Sequence, residues 1–424
     1  MTLAYPSRPL TQLQPDRFAV QAALHGLAAA PPSRARVLEI GCSDAQNLFA
    51  LAAYAPHATF LGVDIDADAV AAAQRHAPPN VAVERADLAE LDAGLFDYVI
   101  AHGVLSWVPD PGAVFACVGR HLAPDGVCYL SYDALPGSHI RAMASEVLRR
   151  ESGGDLDRAR EVMRAVIDAE VDSDNARVMQ LAMGRVADKP DHVVRHDELQ
   201  EVHTPLYFDE FVAAAREHGL RYLGESHLAD AADLAGLPAD PLRAEQWSDY
   251  LTNRQYRQSL LTWRDPGPVR LPDLWVSAPA RRTGPGAYRL LSGVEVQVDD
   301  QRLQADLDLL ARTWPAAVPV ADLRADPRAI LRLYRARAVD LRSEPALARK
   351  PGARPKVVAG MRDREYLTTF RHEPLRLEDD ASRQAVALMD GSRTRDEIAC
   401  AMGADRAELD ALIDELSMAG LFVE

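Results

Sequence analysis

The residues with the clearest chemical meaning lie in Val37-Leu-Glu-Ile-Gly-Cys-Ser-Asp-Ala-Gln-Asn-Leu48. An apolar strand runs there into a turn of small residues and then opens a helix. Gly41 has no Cβ, so the backbone turns sharply and a ligand can approach closely. Ser43 and Ala45 are also small. The helix that follows presents unpaired N–H groups, which suit an anionic group. Two carboxylates follow at fitting distances. Asp64 ends the next apolar run, 23 residues after Gly41, and a carboxylate there can accept from both hydroxyls of a ribose. Asp87, in Arg85-Ala-Asp-Leu88, follows a third strand, where a carboxylate can hold an adenine amino group. The set marks a nucleoside site. It is not the dinucleotide fingerprint GxGxxG, because positions 41, 43 and 46 are Gly, Ser and Gln.

Alternating strands and helices must position these groups. Strands are expected at 36–40, 59–63, 81–84, 96–101 and 127–132, and helices at 16–27, 47–54, 67–76 and 111–122. This alternation indicates a parallel sheet covered on both faces. After Pro136-Gly137 the pattern changes. Residues from about 139 to 261 read as mostly helical, including 155–168, 176–186, 208–218 and 245–263. A hairpin is expected at 288–298 and helices at 301–314 and 327–336. The end, 377–424, reads helix, Asp390-Gly391 turn, helix, helix and a short strand at 421–423, an order resembling a winged-helix module. Residues 345–360 read as a mobile linker. The expected division is 1–140, 141–265 and 266–424.

Composition narrows the function. The chain has 424 residues and a formal net charge of −16, which argues against a general nucleic-acid binder. Only three of its 47 basic residues are lysine; with so many alanines, a GC-rich genome explains this. Four scattered cysteines without a CxxC pair fit a reducing cytoplasm rather than a disulfide scaffold. The N-terminal run lacks the apolar core of a signal peptide, and no stretch approaches a membrane helix. Neither a nucleic-acid nor a membrane partner is therefore expected.

The combination Glu39, Gly41, Asp64 and Asp87 resembles class I S-adenosylmethionine-dependent methyltransferases. Four further motifs are similar to a bacterial group that carries a methyltransferase regulatory domain, among them protein-lysine N-methyltransferases. They are Phe96-Asp-Tyr-Val-Ile-Ala-His-Gly-Val-Leu-Ser-Trp-Val-Pro109, Tyr129-Leu-Ser-Tyr-Asp-Ala-Leu-Pro-Gly137, His203-Thr-Pro-Leu-Tyr-Phe-Asp-Glu-Phe211 and Glu245 to Leu261. Tyr5 and Gln14-Pro-Asp-Arg17 also fit. The chain departs from the pattern at Ala45-Gln46, where glycines are typical, at Leu105, where tyrosine is usual, and at Asp133, where asparagine is usual.

The resemblance implies a fold: a Rossmann-like methyltransferase domain, a helical middle domain and a winged-helix-like C-terminal region. It implies S-adenosylmethionine as cofactor, held by Glu39, Gly41, Ser43, Asn47, Asp64, Ile65, Asp87, Leu88 and His102. It also implies N-methylation of a lysine in a protein or peptide, a small-molecule O- or N-methyltransferase being the alternative. His102, Trp107, Tyr132 and Asp133 are the candidate catalytic residues. His102 could take a proton or line the cofactor. Trp107 could wall the acceptor pocket or cover a sulfonium. Tyr132 and Asp133 are expected to face one crevice and orient an amine. Tyr207, Arg254, Tyr256 and Arg257 could contact substrate, although such alternation more often makes intramolecular pairs. His192, His196 and His203 lack a carboxylate or cysteine to complete a metal set, so no metal is expected.

The charge is uneven. Residues 323–371 hold thirteen basic and five acidic residues, and 377–424 hold four basic and twelve acidic. The two segments are expected to pair with each other or to recognise a protein.

Overall fold

The computed structural model describes residues 9–226, 236–345, 347–358, 366–377 and 379–423. Tyr5 lies outside them. The core is a seven-stranded sheet in the order β3-β2-β1-β4-β5-β7-β6. It comprises β1 (Arg36–Ile40), β2 (Thr59–Asp64), β3 (Val81–Arg85), β4 (Phe96–Ala101), β5 (Leu122–Asp133), β6 (Arg221–Glu225) and β7 (Tyr256–Thr262). The first five are parallel, and β7 runs antiparallel to both neighbours. The chain order reverses between β1 and β4, which opens a crevice at the strands' carboxyl ends. Val37, Leu38, Val99 and Ile100 are fully buried, as parallel strands covered on both faces require.

Helices α1 (Pro15–Leu24), α2 (Gln46–Tyr54) and α3 (Ala67–Gln74) cover one face through Phe18, Leu48, Phe49 and Val70. The other face takes α4 (Pro111–His121) and, after the insert, α9 (Phe208–Glu217), through Val114, Phe115, Phe208 and Phe211. Between β5 and α9 lies an insert of α5 (Ser138–Ser152), α6 (Leu156–Ile167), α7 (Asp174–Ala187) and the short α8 (Asp191–Val193), which runs into a π-helical turn at Val194–Glu198. Leu148, Met163 and Met183 give the insert its own core.

Two expectations for the middle region fail. Residues 221–225 and 256–262 are strands that complete the main sheet, so the sheet draws on segments well beyond residue 140. The helix expected at 245–263 is α10 (Pro241–Thr252), and Asn253 ends it in a left-handed conformation. Arg257 and Ser259 gave β7 a polar look, yet both are buried. Arg257 satisfies its charge against Asp249, Glu225 and Glu245 at 2.7–3.0 Å. Gly137 is required where α5 begins, since a Cβ there would sit 2.3 Å from the Arg254 carbonyl oxygen.

The hairpin expected at 288–298 is present as the pairing of 287–289 with 295–297. The last three helices occupy Asp380–Leu388, Arg395–Met402 and Arg406–Met418 and pack on Ala50 of α2. The expected strand at 421–423 is reduced to a bridge between Phe422 and Val357. Val357 and Val358 are buried in that core, so this part of the expected linker is anchored. The charged segments join through Arg354–Glu397, whereas Arg383, Arg393, Arg395 and Arg406 pair inside the acidic segment. Among the described residues no helix is long and apolar enough to cross a membrane.

Candidate active site

A cleft of about 450 Å³ lies outside the carboxyl ends of the strands, lined among others by Gly41, Asp64, Ile65, Asp87, Leu88 and Trp107. Five expected cofactor residues and one expected catalytic residue therefore meet in one place. Gly41 has φ +73°, and a Cβ on it would stand 2.6 Å from the Val104 side chain. Ser43 and Ala45 also adopt positive φ, at 49° and 58°, a conformation that costs L-residues roughly 1–2 kcal/mol each. The turn keeps its shape although alanine replaces the usual glycine.

Backbone donors orient the carboxylates. Asp64 accepts from the Ser43 N–H at 2.7 Å and the Asp66 N–H at 2.9 Å, one on each oxygen. Its remaining lone pairs are free to meet hydroxyls. Asp87 accepts from the Ala89 N–H at 2.9 Å. Ile65 is 65% exposed beside Asp64 and offers an apolar wall for a flat ring.

Glu39, Ser43, Asn47 and His102 stand outside the cleft lining. Ser43 acts through its N–H on Asp64. Glu39 is buried, which pushes its pKa up to about 8. Asn47 donates to both Glu39 oxygens at 3.2 Å and accepts from His372 Nε2 at 2.7 Å. His372 is buried, has φ +61° and sits in the turn between β8 (Tyr366–Thr368) and β9 (Pro374–Arg376), strands of the C-terminal region that pair antiparallel. No sequence signal linked it to Asn47, 325 positions away.

His102 is ringed by hydroxyls: its Nδ1 lies 3.0 Å from Tyr129, 3.2 Å from Ser131 and 3.5 Å from Tyr256. Burial pushes its pKa down to about 4, so near neutrality it is uncharged and too weak a base for an ammonium. It stands behind the cleft lining as a neutral ring held among hydroxyls, which does not fit a proton acceptor.

Tyr132 and Asp133 do not share a crevice, because adjacent strand residues point to opposite faces. Tyr132 is 1% exposed and stacks on Phe211, ring centroids 4.4 Å apart. It belongs to the core, and the expectation of a catalytic role is corrected. Asp133 binds Arg141 at 2.8 Å and His203 at 2.7 Å. Both contacts fall on Oδ2, so Asp133 ties the helical insert to the end of β5.

His203 was not expected here. Its ring lies 4.9 Å from that of Trp107, and the Arg141 guanidinium lies 5.1 Å from the same indole. Arg141 also binds Glu198 of the π-helical turn, which in turn holds Lys189. The helical insert thus grips the cleft wall. Arg254 and Arg257 are intramolecular, paired with Asp249. Among the described residues no cluster of three or more His, Cys, Asp or Glu could hold a metal.

Residues 38–128 match the family model described as a methyltransferase domain, and 190–263 match that of a predicted methyltransferase regulatory domain. RP789, an uncharacterized protein of Rickettsia prowazekii, is 31% identical over 62% of this chain and 52% of its own length. A trans-aconitate 2-methyltransferase of Deinococcus radiodurans is 33% identical over 30% of this chain and 51% of its own. The chain thus spans about half the length of these two relatives. The structure of PKMT2 from Rickettsia typhi shares the fold over 99% of this chain and 100% of its own, with TM-score 0.84 and 20% identity. A second structure of that protein, in complex with AdoHcy, gives TM-score 0.80 at 19% identity.

Proposed function

We infer that this chain, an S-adenosylmethionine-dependent methyltransferase by its domains and fold, methylates the side-chain nitrogen of a lysine in a protein or peptide. The observation that carries the reading is the aromatic surface left exposed on β7 and α10. Tyr256, 37% exposed, sits edge-on to His102, and α10 exposes Trp247 and Tyr250. Exposed aromatic side chains of this kind mark surfaces that meet another macromolecule. The fold shared with PKMT2 of Rickettsia typhi, a protein whose structure is also solved in complex with AdoHcy, agrees with methyl transfer.

The residues present fit the cofactor. When bound, S-adenosylmethionine supplies a methyl group activated by its sulfonium charge. The chain does the holding. Asp64 would take the ribose hydroxyls, Asp87 the adenine amino group, and Ile65 would cover the ring. The Gly41 turn would leave room for close backbone approach, and Trp107, held by Arg141 and His203, walls the cleft. A lysine amine must lose its proton before it can attack, against a free pKa of ~10.4. Burial against a cationic neighbour lowers that value, and His102 stays neutral there, adding no positive charge. The protein's contribution is alignment and desolvation.

The relatives named as small-molecule methyltransferases match about a third of the chain or less, a stretch the size of the cofactor fold. They bear on the cofactor more than on the acceptor. Incubation with a bacterial protein extract and S-adenosylmethionine, followed by peptide mass spectrometry, tests the reading. New methyl-lysine supports it, and methylation confined to small acids or phenols contradicts it.

A further inference from the structure

The turn between β1 and α2 carries Gly41, which lines the cleft, and Ser43, whose N–H holds Asp64 at 2.7 Å. The two limbs of this turn are tied at its base. Glu39, two residues before Gly41 on β1, accepts at both oxygens from Asn47 Nδ2 at 3.2 Å, and Asn47 lies in the first turn of α2. An amide makes this tie only while its nitrogen faces Glu39. His372 sets that orientation. Its Nε2 donates to Asn47 Oδ1 at 2.7 Å, whereas the Leu10 N–H stands 3.5 Å from the same oxygen. All three side chains are buried, so solvent does not replace a lost partner.

His372 belongs to the hairpin of β8 and β9, and that hairpin is fixed on α1 and α2 at three points. The Thr368 carbonyl accepts from the hydroxyl of Tyr54, the last residue of α2. The Phe370 carbonyl accepts from Nε2 of Gln14, the residue before α1, at 2.9 Å. His372 takes the first turn of α2, so the hairpin holds that helix at both ends. It is also held from behind. The Phe370 ring meets Trp314 edge-on, centroids 5.5 Å apart, and a Cβ on Gly420 would stand 2.2 Å from the Phe370 ring. At its tip His372 adopts φ +61°, a left-handed conformation unfavourable for L-residues, and the strain falls where the ring meets Asn47.

We propose that His372 is a positioning residue for the cofactor: from the C-terminal region it fixes the Asn47 amide, and through it the turn that presents Gly41 and holds Asp64. The proposal rests on reading that cleft as the site of S-adenosylmethionine. It gives the C-terminal region a part in cofactor binding although, among the described residues, none beyond Ala113 lines the cleft.

Calorimetry with S-adenosylhomocysteine on the full chain tests it. His372→Asn tolerates the left-handed backbone but is too short to reach Asn47, and it should weaken binding at least tenfold. His372→Gln, whose Nε2 can stand in for the imidazole Nε2, should stay within threefold of the unaltered chain, a rescue that a space-filling role would not show. Tyr54→Phe loosens the same hairpin at the far end of α2 and should leave the affinity within twofold. Asn47→Ala should lose at least tenfold, with no further loss when His372→Asn is added. Unchanged affinity in folded His372→Asn, equal losses in His372→Asn and His372→Gln, an equal loss in Tyr54→Phe, or losses that add with Asn47→Ala overturn the proposal. Should His372→Asn not fold, Asn47→Ala carries the test, and an unchanged affinity there overturns it. Failure of S-adenosylhomocysteine to bind the unaltered chain overturns the cofactor reading, and the proposal with it, before any variant is compared.

Discussion

His203 and Asp133 share a hydrogen bond of 2.7 Å between Nε2 and Oδ2, and Arg141 reaches the same oxygen at 2.8 Å. The carboxylate at the end of β5 thus holds the segment leaving the insert, the first helix of the insert and, through the His203 ring tilted against it, Trp107 of the cleft wall. Asp133→Ala would leave Arg141 and His203 without this partner. Breaking one side of a buried pair costs about 3–5 kcal/mol; because Arg141 keeps Glu198, the lower end is expected in urea unfolding. Full stability with lost turnover would instead make Asp133 a direct participant in catalysis.

Asp64→Ala removes the acceptor expected to take two ribose hydroxyls. The affinity for S-adenosylhomocysteine should fall by roughly 2–3 kcal/mol. Calorimetry giving an unchanged affinity would refute the ribose assignment.

Tyr132→Phe separates core from catalysis. The Tyr132 hydroxyl is buried without a partner, a state that costs about 1–3 kcal/mol. The variant should unfold at equal or higher urea concentration and keep its turnover rate. A large loss of turnover in a stable variant would restore the catalytic role.

The buried titratable groups set a pH dependence. Glu39, pushed up to about 8 by burial from its usual 4.5, keeps a proton that the unfolded chain releases. Between those values the native state holds more protons, so this group lowers stability as pH rises, by at most about 1.4 kcal/mol per unit. His102 and His372, lowered by burial to about 4 and about 3, act at the other end. The unfolded chain takes up their protons near pH 6.5, so their contribution is full above that value and is lost as pH falls toward the folded values. Glu39→Gln should flatten the alkaline slope while leaving the acid slope in place. Urea unfolding across the pH range measures both, and an unaltered alkaline slope would contradict the assignment.

The first five strands were legible because each is a short apolar run stopped by a turn, and Gly41, Asp64 and Asp87 stand at the turns where the cleft forms. The last two strands were hidden. β7 carries Arg257, whose polarity reads as surface until Glu225, Glu245 and Asp249, from β6 and α10, are seen to neutralise it. Tyr132 and Asp133 both end one strand, but the two-residue period sends them to different faces. His203 and His372 were beyond reach, since each acts through a partner from a distant segment: His203 on Asp133, 70 positions away, and His372 on Asn47, 325 away.

The most direct test of the central claim is the fate of a tritiated methyl group. The purified chain is incubated with methyl-labelled S-adenosylmethionine and whole-cell lysate, and acid-precipitable polypeptide is separated from the small-molecule fraction. Label in polypeptide, recovered as methyl-lysine after hydrolysis and abolished by Asp64→Ala, is the predicted result. Label confined to the small-molecule fraction would contradict it.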